Sequence, residues 1–574
     1  MDGTDICLQL GDWQWNASIM GFINIVGEDN VQIKDDSISF SVDALEKFED
    51  KYFDYFIEEY EKTLSIYQIV SFKETIEYCE HEDFENLNPD RLESINKSIR
   101  NIKRNLKSNS YKAAYKLINS EVDILALEKK LAAVRSPKDT KKFENSKLKI
   151  IEQLRENFSV LKQIIAYCES PVGKRYIGAK NVIYTIIKNA WGGVCFLNPQ
   201  TREKNIYIDY YNHFVADVFD YLGADKKSFK YNCFVCDSPI GNLNNTMSFL
   251  NATGFDVARK SSHVWDFQND IALCPVCKLV YSCLPAGIAY VYNRGLYINI
   301  NVDVKAAVDV NGKIRQGILD SAGGSVYSIY PTLISALQEA ESDTAKYELA
   351  DIQVVRYEDE AYRFNILSRK TLKLIFQCRK ELSSLIRTVL VENNISIRIY
   401  DETVTRILNN QNLFTLIHRM IYHRLANPEN CYFSGSRINS VLRVNQRFYE
   451  YLGGVKMGKK TDDILTNENL IKYSRGAGWK LKSKYSGAEA RNKLPGICYR
   501  LLNALKTTNK DMFLDVVLNC YLYVGSPVPS VITDALVDDQ IFRTMGYAFV
   551  AGMIDEGDTK ENNLMKSEED QHEK

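Results

Sequence analysis

Proline and histidine are scarce, with 12 and 6 in 574 residues. Few prolines beside many Lys, Glu, Leu and Ile leave long helices uninterrupted. None of the histidines forms a metal pair at i, i+4, and His418 and His423, five apart, fall on different helical faces. Long apolar runs are also missing. The best candidate, Met512 to Gly525, is short and holds Asp515 and Asn519, so no membrane-spanning helix is expected. Charge of one sign is lacking over the whole chain, whose formal net charge is −2. The opening Met1-Asp2-Gly3-Thr4-Asp5 has no basic n-region of the kind a signal peptide needs. Neither GxSxG nor GxGxxG occurs, and the many carboxylates show no nuclease-like spacing, so no catalysis is expected. Gly453-Gly-Val-Lys-Met-Gly458-Lys459-Lys460 nearly spells a P-loop, but Lys460 stands where Ser or Thr should hold magnesium. The segment before it, Asn445–Leu452, reads as a helix, whereas a P-loop follows a strand.

Cysteine is the residue with a pattern. Thirteen cysteines, an odd number, are scattered through the chain, which fits thiols and metal in a reducing cytoplasm better than a disulfide framework. Four of them form two CxxC knuckles, Cys233-Phe-Val-Cys236 and Cys274-Pro-Val-Cys277. Each knuckle turns two thiolates toward one point, and two knuckles make the closed tetrahedron of a structural zinc site. Four thiolates leave no open catalytic position, and a thioredoxin-like motif would have one CxxC in a βαβ unit. Four separately buried cysteines are the bland alternative. The spacer from Asp237 to Leu273 exceeds the usual ribbon length and is rich in Asn and Gly, so it reads as a zinc-stapled loop. It carries Arg259, Lys260 and His263, candidates for nucleic-acid contact. Cys283 falls outside the pattern and is expected in the core.

The rest of the chain reads as follows. Residues 5–42 look β-rich, with alternation in Val31–Ile33 and Ile38–Val42. Trp13 and Trp15, at i, i+2, read as one face of a strand. From Val42 to Ser170 the pattern is helical, with Phe48, Tyr52, Phe53, Tyr55, Phe56 and Tyr60 repeating near 3.6. A basic stretch from Arg91 to Lys116 reads first as a solvated face. Helices are expected over Asn181–Lys188 and Tyr207–Tyr221. A hairpin is expected through Asn293-Arg294-Gly295 into Leu296–Val302, and another around Glu358-Asp359-Glu360. From Thr371 to Asp555 nearly everything reads as helix. Between Ser396 and Lys510 there are 20 Lys+Arg against 8 Asp+Glu. The densest part runs from Lys472 to Tyr485 and interleaves Arg475, Lys480, Lys482 and Lys484 with Trp479 and glycines, which suits a phosphate backbone with stacking options.

The expected fold is α+β: a mostly helical multidomain chain with a small β-rich part, a four-cysteine zinc-stapled loop and a C-terminal helical bundle. The expected divisions are an N-terminal α+β region, 1–370, with a zinc-finger insertion at 231–283; a helical domain, 371–555; and an acidic disordered tail, 556–574.

The order of these features resembles the CXXC–CXXC large subunits of type I CRISPR effector complexes (Cascade). The matching pieces are Gly11-Asp12-Trp13 with Gly21-Phe22, Phe196-Leu197-Asn198, the two CxxC pairs, Pro285 and Gly287, and Tyr297-Ile298-Asn299-Ile300-Asn301. The C-terminal half matches only in being helical and basic. The resemblance implies a non-enzymatic subunit that holds one end of a guide RNA complex and reads a short motif flanking the target. It would help open the duplex and recruit a separate helicase–nuclease. Its partners would be guide RNA, target DNA and the other Cascade subunits. It implies no particular motif-reading residues. It also implies a small helical subunit, for which Met457, after Gly453-Gly454-Val455-Lys456, is a candidate internal start. The rival readings are a stand-alone zinc-containing nucleic-acid-binding protein and a metal-dependent nuclease.

Overall fold

The Asp12 carboxylate accepts hydrogen bonds from the backbone N–H groups of Gln14 and Trp15, at 2.8 and 2.9 Å, and this cap starts the first helix, α1 (Trp13–Val26). The tryptophans therefore lie on a helix, not on the strand their spacing suggests. Two residues at i, i+2 cannot fix a period, and here the cap and the long apolar run after it decide. Twelve of the 14 residues of α1 are buried, as in a helix enclosed on all sides by its own protein. The β-rich start is otherwise present: β1 (Ile6–Gln9), β2 (Gln32–Ile33) and β3 (Ser37–Phe40) form an antiparallel sheet in the order β1-β3-β2.

This computed structural model describes residues 6–253, 272–321, 331, 334, 352–451 and 467–555, apart from 136, 138, 139, 292, 293, 302, 368, 393, 394, 429, 430 and 432. Arg259, Lys260, His263, the Gly453–Met457 segment and the acidic tail lie outside the described residues. The fold is α+β and mostly helical, with small sheets, as the sequence leads one to expect. The chain divides into two compact units, residues 1–329 with 352–364, and residues 330–351 with 365–574.

In the first unit, α2 (Phe48–Glu59) buries Phe48, Tyr52, Phe53 and Phe56 on one face. In α3 (Pro89–Leu106), Asn88 caps the start and Pro89 fits the first turn, while Ile95, Ile99, Ile102 and Leu106 are buried. Its basic face is only partly solvated. Lys103 and Lys107 converge on the buried Glu128 carboxylate, at 3.4 and 3.0 Å. After the thirty-residue α4 (Thr140–Glu169) comes α5 (Pro171–Val182). It runs on through a π-helical stretch, Ile183–Ile187. A second such stretch, Tyr211–Val215, interrupts the helical run over residues 206–223. Beyond it, β4 (Tyr231–Asn232) and β5 (Pro239–Ile240) make a short hairpin, and two short helices follow, α6 (Pro275–Ser282) and α7 (Leu284–Gly287). A four-stranded sheet has the order β6-β7-β8-β9, from β6 (Ala289–Val291), β7 (Arg294–Asn299), β8 (Ile352–Glu358) and β9 (Ala361–Leu367). Asp359 and Glu360, both at positive φ, form the two-residue turn between β8 and β9.

Among its described residues the second unit is helical, apart from the end of β9 and one further strand pair. β10 (Val389–Glu392) and β11 (Ile395–Arg398) pair antiparallel, where the sequence reading expects helix. Two short β-branched runs around Asn393-Asn394 are a hairpin signal that the helical neighbourhood hides. The bundle is built from α8 (Phe414–Ala426), α9 (Gly435–Tyr451), α10 (Asn467–Gly487), α11 (Leu494–Lys506), α12 (Lys510–Tyr523) and α13 (Asp539–Ile554). Gly478 of α10 faces the Phe549 carbonyl of α13, and Gly552 of α13 faces the Arg475 carbonyl of α10. A Cβ at either glycine would collide with backbone, so both are what allows this close crossing.

Candidate metal centre and nucleic-acid interface

The first CxxC pair sits at the end of the β4–β5 hairpin. The Cys233 N–H donates to the Ser238 carbonyl at 2.8 Å, and the Asp237 N–H donates to the Cys233 carbonyl at 2.9 Å. Asp237 takes the left-handed conformation, φ +57°, that closes this turn. The second pair starts a helix. Cys274 is the N-cap of α6, Pro275 occupies the first turn, and the Cys277 N–H donates to the Cys274 Sγ at 3.4 Å. One strap joins the two halves: the Phe234 N–H donates to the carbonyl of Ala272, at 2.9 Å.

The ligand atoms of Cys233, Cys236, Cys274 and Cys277 all lie within 4.8 Å of one another, and the Cys236 and Cys274 sulfurs are 3.7 Å apart. A tetrahedron with Zn–S bonds of about 2.3 Å has S···S edges of about 3.8 Å. The donor set and spacing fit zinc. Three of the cysteines are buried and Cys236 is exposed. Without an ion the sulfurs must share protons. Hydrogen bonds from Cys233, Cys274 and Cys277 hold the Cys236 thiol well below its ordinary range. Cys274 and Cys277 are pushed up, chiefly through their bonds to Cys233 and Cys236. A group so close-set that one member ionises at the others' expense is suited to a cation that replaces the shared protons.

The centre is tied into the core of its unit. Helix α6 leads into α7, and both pack on α1. Gly21 of α1 abuts the Cys283 carbonyl, and Gly287 abuts the Ala17 carbonyl, each without room for a Cβ. The Trp15 and Tyr281 rings meet at 5.0 Å. The Tyr52 hydroxyl and the Trp191 indole N–H both donate to the Ser282 carbonyl at 3.0 Å. Asn16 Nδ2 donates to Asn299 Oδ1 and Asn301 Oδ1, at 3.0 and 2.7 Å. The Phe196 ring lies 5.3 Å from Trp191 and 5.6 Å from Phe53. Residues from each of the separate sequence pieces around Trp13, Phe196, Pro285 and Asn299 thus pack into one neighbourhood. Cys283 is fully buried, as expected. Trp191, Tyr210 and Ser282 are equally central and carry no local sequence signal.

The basic candidates of the second unit lie on α10. Arg475 pairs with the Asp555 carboxylate, Lys482 Nζ donates to the Asp555 carbonyl, and Lys484 Nζ donates to Ser526 Oγ. Arg475 and Lys482 thereby cap the C-terminal end of α13. Lys480, Lys472 and Trp479 are exposed. Arg443 and Asn439 of α9 border the same surface and escape the sequence reading because they lie outside the dense basic segment.

The four-cysteine cluster, half on a hairpin turn and half on a helix N-terminus, is a site that could hold a metal ion in a mainly helical chain. In comparison with known families, a family described as CRISPR-associated protein (Cas_CXXC_CXXC) matches residues 225–289. That span contains all four cysteines, α6 and α7, and over it the chain carries the CRISPR-associated signature that the sequence resembles. No curated protein and no solved structure matches. Among the described residues, no helix is long and apolar enough to cross a membrane.

Proposed function

We propose that the chain is the large subunit of a type I CRISPR RNA-guided surveillance complex. In this reading it binds guide RNA and the other Cascade subunits, recognises the motif flanking the target, stabilises the opened DNA and recruits a helicase–nuclease in trans. It has no catalytic role of its own and works in the cytoplasm. Cys233, Cys236, Cys274 and Cys277 hold one structural Zn2+, which staples the hairpin to α6. The observation that carries the reading is the family match over the segment that folds into the four-cysteine cluster.

The test is purification of the tagged chain from cells expressing a CRISPR array and its neighbouring genes, with sequencing of bound RNA. Guide RNA and partner proteins are expected in the same peak. A chain that elutes alone, or with RNA unrelated to the array, would overturn the reading. The pure chain with magnesium should leave DNA intact, and cleavage would return the nuclease alternative.

A further inference from the structure

The chain leaves α13 at Asp555, and that residue is held in place. Its carboxylate pairs with Arg475 of α10, and its carbonyl accepts from Lys482 Nζ. It also lies against Gly435 at the start of α9, where an added Cβ would come within 2.8 Å of Asp555 Oδ2. Asp555 thereby stands at the edge of an open cavity whose lining includes Arg443 and Lys472. Arg443, Lys472 and Lys480 are exposed, and no carboxylate among the described residues pairs with them. Asp555 itself lines the cavity, but Arg475 already engages it. Cations gathered without a counter-charge attract an anionic partner. The residues that follow Asp555 carry that charge. Residues 556–574 hold seven acidic and three basic side chains, and the first three acids are Glu556, Asp558 and Glu561. The stretch from Asp555 to Glu561 reaches at most about 20 Å, while Lys472 and Lys480 lie about 12 Å apart along the axis of α10.

We propose that residues 556–561 dock on this face in cis and compete there with a nucleic-acid backbone. Glu556, Asp558 and Glu561 take the places of phosphates at Arg443, Lys472 and Lys480. Tethering decides the occupant. A separate acidic protein would need an affinity of its own, whereas a segment joined to Asp555 is present at an effective concentration on the order of 1 mM. If its intrinsic Kd is on the order of 0.1 mM, it covers the face about nine-tenths of the time. It then lowers the apparent affinity of any competitor about tenfold. A long strand that engages further cations displaces it; a short, ill-placed contact does not. The consequence for nucleic acid rests on the proposed function, and the docking itself does not.

The test uses the full chain at about 50 mM salt, where ionic contacts are weakly screened. Two variants remove the same number of charges beyond α13. One carries Glu556→Gln, Asp558→Asn and Glu561→Gln; the other carries Glu568→Gln, Glu569→Gln and Asp570→Asn. By fluorescence anisotropy the first should bind oligo-dT about tenfold more tightly than the wild type, and the second should gain less than about twofold. Adding Arg443→Ala and Lys472→Ala to the first variant should cancel its gain over the same double variant with an unaltered acidic segment. Equal gains from the two acid sets would be an effect of net charge alone and overturn the docking. A carbodiimide cross-link, mapped by mass spectrometry without nucleic acid, should join Lys472 or Lys480 to Glu556, Asp558 or Glu561 and fade as oligo-dT is added. Absence of that cross-link overturns the docking whatever the binding data. A cross-link formed between isotopically distinct copies overturns it in favour of a second chain. If no variant binds oligo-dT while the cross-link forms within one chain, the docking stands and the proposed function falls.

Discussion

Cys274 has two roles that a single substitution can separate. Its backbone and Sγ cap α6, and its sulfur belongs to the four-cysteine cluster. Serine is a good N-cap but a poor zinc ligand. Cys274→Ser should therefore keep the helix, lower zinc from one per chain toward zero, and free the hairpin. Structural zinc contributes on the order of 10 kcal/mol in small zinc-bound peptides, and here that stabilisation is local. Metal analysis with limited proteolysis across residues 231–283 reads both effects, and unchanged zinc content would refute the four-cysteine site. His213 offers a second single-residue test. It sits in the π-helical stretch with its ring edge-on to Phe214 at 4.7 Å. Burial, helped by the Lys278 charge, pushes its pKa down to about 4. A base whose folded pKa lies below its unfolded value near 6.5 takes up its proton first in the unfolded chain. Its contribution is thus complete above about pH 6.5 and shrinks as pH falls toward 4. Replacing His213 with Gln should flatten the stability profile of the first unit in that window and leave it unchanged above. An identical acid limb in the variant would show that other groups set it.

At the scale of elements, close helix contacts depend on glycine. Gly21→Ala or Gly287→Ala puts a Cβ into backbone carbonyl oxygens that cannot turn aside. Overpacking of this kind costs about 1–3 kcal/mol or more. Gly312, within the helix Val304–Ser321, meets nothing within 4 Å, and its replacement by Ala should stabilise by roughly 0.5–1 kcal/mol. Urea unfolding of the three variants gives the comparison, and equal effects at Gly21 and Gly312 would contradict the packing. These elements also show where sequence is informative. The paired cysteines announce their cluster because metal geometry fixes both residue type and spacing. The helices of the second unit are legible because a 3.6-residue apolar period persists for several turns. The β8–β9 turn is legible from polar residues between two alternating runs. What fails is short or non-local. Trp13 and Trp15 mimic a strand for three residues until the Asp12 cap decides otherwise. The β10–β11 hairpin, four residues per strand, is lost among helices. The partners of Gly21 and Gly287 are each other's helices, over 260 residues apart in sequence, and no local pattern records that.

Across the whole molecule, charge is distributed rather than abundant. The net is −2, yet residues 396–510 carry the cationic excess, and residues 556–574 hold seven acidic and three basic side chains. Lys482 is committed to the end of α13, while Lys480 is exposed on the same helix. Lys480→Ala should flatten the dependence of log K for DNA on log salt by about one unit. Lys482→Ala should lower stability more than it changes that slope. The reverse assignment would mean that α10 presents a different face to the strand. The same C-terminal part is the candidate small subunit. Translation from Met457 would yield α10 to α13 and the acidic tail. That product would keep the glycine crossing of α10 with α13, the Leu505 side chain against Gly546, and the packing of Phe513 on Phe542 and Phe549. It would lose α8 and α9, so Tyr547, stacked on Phe414 at 5.8 Å and facing His418, would be uncovered. Such a product has a core of its own and one bare aromatic face, the form of a helical subunit that associates side by side. Two glycine codons at Gly453-Gly454 can carry a purine-rich ribosome-binding sequence a short spacer before Met457. A gene with a C-terminal tag should therefore give a second, small tagged polypeptide that disappears on synonymous recoding of those glycines and on Met457→Leu, while full-length protein persists. If the unaltered gene yields only the full-length band, the internal start is not used, and residues 457–574 act only as part of the full-length chain.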